Sequence, residues 1–451
     1  MNKIFGAVIL SVFGFAAFAF QGEVAYGASG AAPAASGDDP VQRCLDLVQL
    51  NLARKIAPPR PVTSHPVQIS PKNLPIQCLA GNLQEIKSAL KNQIANCERK
   101  SAEEKAKTFQ FGCRMVTNQD YCLNANAEML KIASLPDMNY VTFVNRVARE
   151  FDWYKTNGRQ ANDGTGTTRF TGYYSPTAVD ASADPSDVYR YPIYAAPEGL
   201  TYFENPKSEL GQGCGVDEVT KLPIHWCIDN RDGTFSTLPT REQMAHGASD
   251  GKIRKIAYFR SLYDVSNFML EGAGSVNLRK KDGSIESVVL NFAGTNGRHN
   301  NMIGDVLKCE NKQIRGSLAA YYARHPDEAY RDTVHYNPST VFYRPGVDYE
   351  GVDRIPVTPN ASIATDPTSI PTGTVTLLNR AAANACNATS WMAVAQDIGG
   401  RIKGLHVDIY TGAGTPAETK ANSFNDFGFV FMAVPKGAGS PVPDCASKTA
   451  N

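Results

Sequence analysis

The stretch VAQDIGGRIKGLHVDIYTGAG, residues 394–414, reads as strand, turn, strand. An apolar run ends at Gln396 and Asp397, and the paired glycines Gly399 and Gly400 let the backbone pass close to other parts of the chain. HVDIY then resumes with a period of two. As a strand it places Val407 and Ile409 on one face and His406, Asp408 and Tyr410 on the other. Aspartate is depleted in strands, so Asp408 on a polar face calls for a chemical reason. Asp397 has a simpler local explanation, as the cap of a turn.

The same texture extends outward. From about Arg169, short β-branched and aromatic runs recur between Gly, Pro, Asn and Asp: RFTGYY, YRYPIYAAP, KIAYF, ESVVLNFAG, STVFYRP, GTVTLLN, WMAVAQDI and FGFVFMAV. This density of strands and turns predicts a mainly β protein built as barrels or sandwiches, without βαβ units. Two helices interrupt it, one opened by a Thr240…Gln243 capping box and one at GRHNNMIGDVLK. Upstream, residues 43–138 read as a helical, cysteine-rich module that stabilises the chain or binds an envelope partner. Within it SAEEKAKTF opens with a Ser101…Glu104 capping box, and NAEMLKIASL has helical spacing. NYVTFVNRVAREFDWYK then predicts an amphipathic helix with Val144, Val147, Ala148 and Phe151 on one face.

The chain has 451 residues, room for two or three domains. A formal net charge of +1 with 20% charged residues shows no basic stripe for nucleic acid, and no acidic tail is visible. A neutral polymer is compatible with that balance. MNKIFGAVILSVFGFAAFAF has one lysine, an apolar run and the small-residue exit Ala17-Phe18-Ala19, the layout of a signal peptide over 1–19. An uncleaved anchor is the competing reading. A Gly/Ala/Ser/Pro linker follows over 20–42. The first cysteine is Cys44, which argues against a lipidated cysteine at the cleavage site. Ten cysteines without a C-x-x-C fit an exported, disulfide-bonded chain, with Cys113–Cys122 and Cys214–Cys227 the shortest loops to close.

Several chemistries are excluded by count or spacing. An aspartic protease needs two carboxylates sharing a proton, and QDIGG is the only turn of that kind. His406 and Asp408 make two ligands at most, and the other six histidines show no ligand spacing, so no metal is expected. No P-loop, dinucleotide fingerprint or G-x-S-x-G is present, and no cofactor is expected. Aromatic and hydroxyl side chains instead gather beside glycines: Thr171, Tyr173 and Tyr174 around Gly172, and Glu271 beside Gly272 and Gly274. Aromatic planes with fixed polar groups suit an extended sugar chain.

Taken in order, RFTGYYSP (169–176), YPIYAAP (191–197), LPTREQM (238–244), LEGAGSVNL (270–278), FAGTNGRHNNMIGDVL (292–307), NPSTVFYR (337–344), PVTPNASIATDPTSIPTG (356–373) and the opening stretch resemble the family of membrane-bound lytic murein transglycosylase A. The last two blocks resemble its 3D domain, whose three aspartates correspond to Asp366, Asp397 and Asp408. The resemblance implies a double-psi β-barrel from 139–180 and 330–440, with the 3D domain at about 355–436. It also implies a smaller β-domain inserted at 181–329, and 441–451 would be a tail. The implied activity is cleavage of the β-1,4 bond between N-acetylmuramic acid and N-acetylglucosamine, leaving 1,6-anhydromuramic ends.

Asp408 would be the catalytic acid and base, supported by Asp397, Asp366, Lys403 and Tyr410. Thr171, Tyr173, Tyr174, Glu271, Gly272 and Gly274 would line the groove. The protein would be an exported monomer of the periplasm or envelope, outer-membrane associated or secreted. Its partner would be a peptidoglycan glycan strand. The chain departs from the family pattern at Glu271 and Ala273, within its Q-G-S-G turn, and at Thr295, where a lysine is usual. Two alternatives follow: a non-catalytic peptidoglycan-binding scaffold, or a hydrolysing muramidase that uses Glu271.

Overall fold

Runs such as WMAVA and FVFMAV are apolar at every position, the pattern of strands buried on both faces. They form the centre of the molecule. The computed structural model describes residues 39–56, 65–157, 167–203, 214–381, 388–443 and 445. The expected signal peptide lies outside these residues, as does the expected linker up to residue 38. A helix, Pro40–Ile56, begins inside the stretch assigned to that linker. Asp39 accepts the Val41 N–H at 2.9 Å and Pro40 stands at the first helical position, so the helix starts where its free donors are satisfied. Among the described residues, no helix is long and apolar enough to cross a membrane.

The barrel strands, in chain order, are β1 (Thr168–Ser175), β2 (Val179–Ser182), β3 (Tyr191–Ala195), β4 (Lys255–Phe259), β5 (Gly274–Arg279), β6 (Ile285–Thr295), β7 (Val341–Gly346), β8 (Ser362–Thr365), β9 (Val375–Ala381), β10 (Ala388–Asp397), β11 (His406–Ala413) and β12 (Asn425–Pro435). The first barrel runs β1, β12, β9, β10, β8, β11 and back to β1. Its parallel pairs are β8 with β10 and β11 with β1; the other neighbours are antiparallel. The second runs β4, β2, β5, β6, β7, β3 and closes on β4, with β2–β5 and β3–β7 parallel. The chain leaves the first barrel at Ser175, builds the second, and returns at β8.

Phe170, Ile363, Leu378, Ala393, Val407, Ile409 and Val430 belong to one core cluster of the first barrel. Leu377, Met392, Val394 and Phe431 belong to another, shared with Ile86 and Leu90 of the Leu83–Arg99 helix and Met129 of the Ala125–Ala133 helix. Residues 67–150 therefore share a core with the barrel and do not form the separate module expected from sequence. Both capping boxes are present. The helix expected through Lys155 stops earlier: it spans Tyr140–Glu150, and Phe151–Lys155 is a strand paired with β12. Phe151, Trp153 and Tyr154 are all buried there, a burial on both faces that a helical turn would not give them.

The Cys214–Cys227 bridge forms as expected, but Cys113–Cys122 does not. Cys122 bonds Cys97, and Cys113 bonds Cys445. Cys113 occupies the turn between strands Thr108–Phe111 and Arg114–Thr117, and Ser440–Pro441 adds to that hairpin, bringing Cys445 beside it. Tertiary pairing thus overrides the short loop. Cys44–Cys309 ties the Pro40–Ile56 helix to the Ile303–Cys309 helix.

Candidate active site

Strand register assembles the site. Asp408 on β11 stands opposite Ala364 of β8 on one side and Thr171 of β1 on the other. Ala364 in turn faces Asp397 of β10, just past a register shift. The two aspartates of the opening stretch thus fall in one row, two strands and roughly 10 Å of backbone apart. Val407 and Ile409 point into the barrel and are fully buried, as the alternation predicts.

The three aspartates differ in how their oxygens are used. Asp366 accepts the Thr368 N–H and hydroxyl on Oδ1 and the Gly404 N–H on Oδ2 at 2.7 Å, tying the end of β8 to the loop before β11. Asp397 accepts the Ile398 N–H on Oδ1 at 2.8 Å and the Tyr173 hydroxyl on Oδ2 at 2.9 Å. Asp408 accepts the Thr171 hydroxyl on Oδ1 at 2.7 Å, and among the described residues nothing occupies Oδ2. Thr171 Oγ1 also lies 2.8 Å from His406 Nε2. Having given its proton to Asp408, the threonine accepts from His406, so the imidazole carries its proton on Nε2.

Burial sets the charges. It pushes the Asp408 carboxyl up to about 6, against the pull of the Thr171 hydrogen bond and the Arg169 charge. Asp397 is also raised to about 6 by burial, with its backbone and Tyr173 hydrogen bonds opposing and the Asp408 charge adding. Burial lowers His406 to about 4, so its ring is neutral at neutral pH. The Tyr173 ring packs 5.2 Å from that of Tyr410, whose hydroxyl lies 3.2 Å from Ser175 Oγ.

The second barrel contributes Glu271, the last residue of the Leu262–Glu271 helix. Gly272 follows with φ 72°, ending the helix in the left-handed conformation that glycine takes without strain. Glu271 Oε2 accepts the Tyr174 N–H at 3.1 Å, joining the two barrels. Burial raises its carboxyl to about 8, and the charges of Asp408 and Glu418 add to the effect. Gly274 sits where a Cβ would come within 2.5 Å of the Phe268 ring, and Gly172 where one would meet Ala421 of the Thr415–Ala421 helix at 2.8 Å. Both are set by packing. The Tyr174 hydroxyl accepts from Asn267 at 3.1 Å.

Asp408, Asp397, Thr171, Tyr173, Tyr410, Tyr174 and Glu271 are thus brought together. Asp366 acts at one remove, through the loop, and Lys403 is exposed on that loop without an ion-pair partner among the described residues. Sequence reasoning considered His406 only as half of a metal pair and missed its link to Thr171. The signal was present, since His406 shares the face of Asp408. Glu418, hydrogen-bonded by Tyr174, carried no signal in TPAETK. A surface hollow of about 430 Å³ around Ile76, Leu79, Val141 and Thr389 lies elsewhere, because Thr389 and Asp397 stand at opposite ends of β10.

The chain is similar to known proteins in sequence and in fold. Residues 169–344 match the family model of the MltA specific insert domain, and 361–432 match that of the 3D domain. Over these two regions the chain is similar to the membrane-bound lytic murein transglycosylase A family. Membrane-bound lytic murein transglycosylase A of Escherichia coli K12 is 30% identical over 283 residues, 60% of this chain and 66% of that protein. The Vibrio cholerae protein of the same name is 28% identical over 281 residues, with the same coverage of 60% and 66%. The chain thus spans just under two thirds of the curated relatives it matches. Among solved structures, a membrane-bound lytic murein transglycosylase from Agrobacterium tumefaciens superposes with a TM-score of 0.62 at 20% identity, over 82% of this chain and 98% of that one. Escherichia coli MltA with bound chitohexaose gives a TM-score of 0.56 at 24% identity, over 83% and 95%. These two share the fold.

Proposed function

We propose that this chain is a peptidoglycan lytic transglycosylase of the cell envelope, with Asp408 as its only acid and base. The observation that carries the reading is the free Oδ2 of Asp408. Of the three aspartates of the 3D domain, it alone keeps an oxygen without a hydrogen bond among the described residues, on a carboxyl whose pKa burial raises to about 6. A group that must give and retake a proton works best with a pKa near the working pH.

The protonated Oδ2 donates to the glycosidic oxygen between N-acetylmuramic acid and N-acetylglucosamine. The C1–O4 bond breaks, and the departing N-acetylglucosamine leaves with that proton as its 4-hydroxyl. The carboxylate then takes the proton of the muramoyl C6 hydroxyl as O6 bonds to C1. The product is a 1,6-anhydro ring, Asp408 is protonated again, and no water is consumed. One carboxyl suffices because the sugar supplies its own nucleophile, whereas ordinary glycosidases need two.

Thr171 fixes the rotamer of Asp408, with His406 behind it. Asp397 and Tyr173 hold the adjoining row, and Asp366 anchors the loop that carries Lys403. Tyr410 supports Tyr173 from beneath, and Tyr174, Glu271, Gly272 and Gly274 border the glycan. The first barrel is a double-psi barrel formed by 139–180 and 330–440, around an inserted domain at 181–329. The protein is exported by residues 1–19 and works as a monomer on glycan strands.

Digestion of purified sacculi with wild type and Asp408→Ala, followed by mass spectrometry, tests this. Anhydromuropeptides should come from the wild type alone. Reducing ends would mean hydrolysis, and product from both proteins would remove Asp408 from the chemistry.

A further inference from the structure

The row that holds Asp408 continues beyond Thr171. Asn425 of β12 faces Thr171, Phe427 faces Arg169, and Arg169 faces His406 of β11. Residues in register on neighbouring strands share a face, so Arg169, Asn425 and Phe427 flank the Asp408–Thr171–His406 chain. Arg169 donates to Asn425 Oδ1 at 3.2 Å. Among the described residues no carboxylate pairs with it, and the adjacent Asp426 is engaged by Arg380. Phe427 is 48% exposed on that face, so its ring is open to a ligand.

An unpaired guanidinium offers a planar fork of donors matched to a carboxylate. An open phenyl ring beside it offers an apolar plane for a sugar. Both stand on the face that presents the free oxygen of Asp408, and the Arg169 charge is felt at Asp408 and at His406.

We propose that Arg169, steadied by Asn425, binds a carboxylate carried by a muramoyl unit next to the scissile bond, with Phe427 supplying apolar contact. The acid is either the free lactyl group of muramic acid or a carboxylate of its peptide stem, and the chemistry at Arg169 is the same. N-acetylglucosamine has no acid to offer, so the pair separates murein from chitin-like chains. This rests on the reading of the site as a peptidoglycan transglycosylase.

The test uses Asp408→Asn, which should hold glycan without cutting it, with and without Arg169→Gln. Binding is measured for glycan strands bearing stems, for amidase-treated strands with free lactyl acids, and for chitohexaose. Arg169→Gln should weaken acid-bearing glycans about fivefold, as an exposed ion pair would, and leave chitohexaose unchanged. The difference should fade at about 0.5 M salt. Weakening confined to stem-bearing strands assigns the acid to the stem, and weakening on the stripped strands assigns it to the lactyl group. Equal weakening on all three glycans, or none on any, overturns the proposal. Failure of the cleavable wild type to release anhydromuropeptides would sink the transglycosylase reading instead and leave this comparison standing.

Discussion

The two barrels have six strands each and two parallel pairs each, yet their surfaces are put to different use. In the first, β9, β10 and β12 are buried inside and beneath helices, and polar side chains come forward along the row from Asp397 to Asn425. In the second, one cluster fills the interior, a smaller one covers the outer side of β3 and β7, and β6 begins with three exposed residues. Strands held on both faces fix a side chain in register to within small displacements, which proton transfer needs. A barrel whose outer face is covered only in part can bring a carboxyl to the same groove on a helix end, as it does with Glu271, but through one backbone hydrogen bond.

If this contrast is right, the largest effect belongs to Asp408. Asp408→Asn should lower the rate by about 10²–10⁴ or more, the usual weight of a positioned acid and base. In the wild type the rate should decline as pH rises through about 6, because the acid form is lost. Stability should move the other way in the variant. The folded carboxyl titrates above its unfolded value, so its favourable contribution is complete below the unfolded pKa of about 3.9. That contribution is lost as pH rises through about 6. Asparagine never ionises, so above pH 6 the variant should melt higher than wild type, by the equivalent of about 1–3 kcal/mol. A lower melting temperature there would break the account of why Asp408 keeps its proton.

The staple under the first barrel comes next. Cys97 and Cys122 are buried, and the Leu83–Arg99 helix that carries Cys97 also binds Gln396, beside Asp397, through the Ala89 carbonyl at 3.0 Å. Replacing both with serine should cost about 3 kcal/mol by thermal or urea unfolding and should reduce activity before the fold is lost. Replacing Cys214 and Cys227 should cost a similar amount and leave turnover intact, since that bridge touches none of the carboxylates. Equal loss of turnover from both would show that the barrels are not independent supports.

How much of this could be read in the sequence depended on range. Asp408 was legible because period two and an unlikely residue type are local signals, and Cys214–Cys227 because its loop is short. The strand row was not legible, because Asp397 reaches Asp408 only through Ala364, an unremarkable residue whose importance lies in register. The helical segments were visible, but their burial against β10 and β12 was not, and so they read as a separate module. Phe151–Lys155 failed for the same reason: its helical spacing is real, and tertiary pairing with β12 decides against it.

Tyr173 offers a finer test within the first barrel. Tyr173→Phe removes the donor to Asp397 Oδ2 and leaves a raised carboxyl with one partner fewer. The loss of a buried hydrogen bond to a charged group should cost about 1–3 kcal/mol in stability. Turnover should fall about tenfold if Asp397 only positions the row. A fall as large as that of Asp408→Asn would give Asp397 a direct part in the chemistry.

Glu271→Gln should have the smallest effect, and it bears most directly on the second barrel. With its carboxyl raised to about 8, Glu271 is protonated and neutral through most of the range in which Asp408 works. Glutamine keeps that neutrality, and its side-chain carbonyl can still accept the Tyr174 N–H. Turnover near pH 7 should therefore stay within about threefold of wild type, with anhydro products unchanged. The difference appears on the alkaline side. The favourable contribution of the neutral glutamate is complete below its unfolded value of about 4.3. It is lost as pH rises through about 8. Wild type should lose melting temperature between pH 7 and pH 9, and Glu271→Gln should lose less of it. Reducing ends that vanish in Glu271→Gln would instead make this glutamate a base for water, and the second barrel would then take part in the chemistry and not only border it.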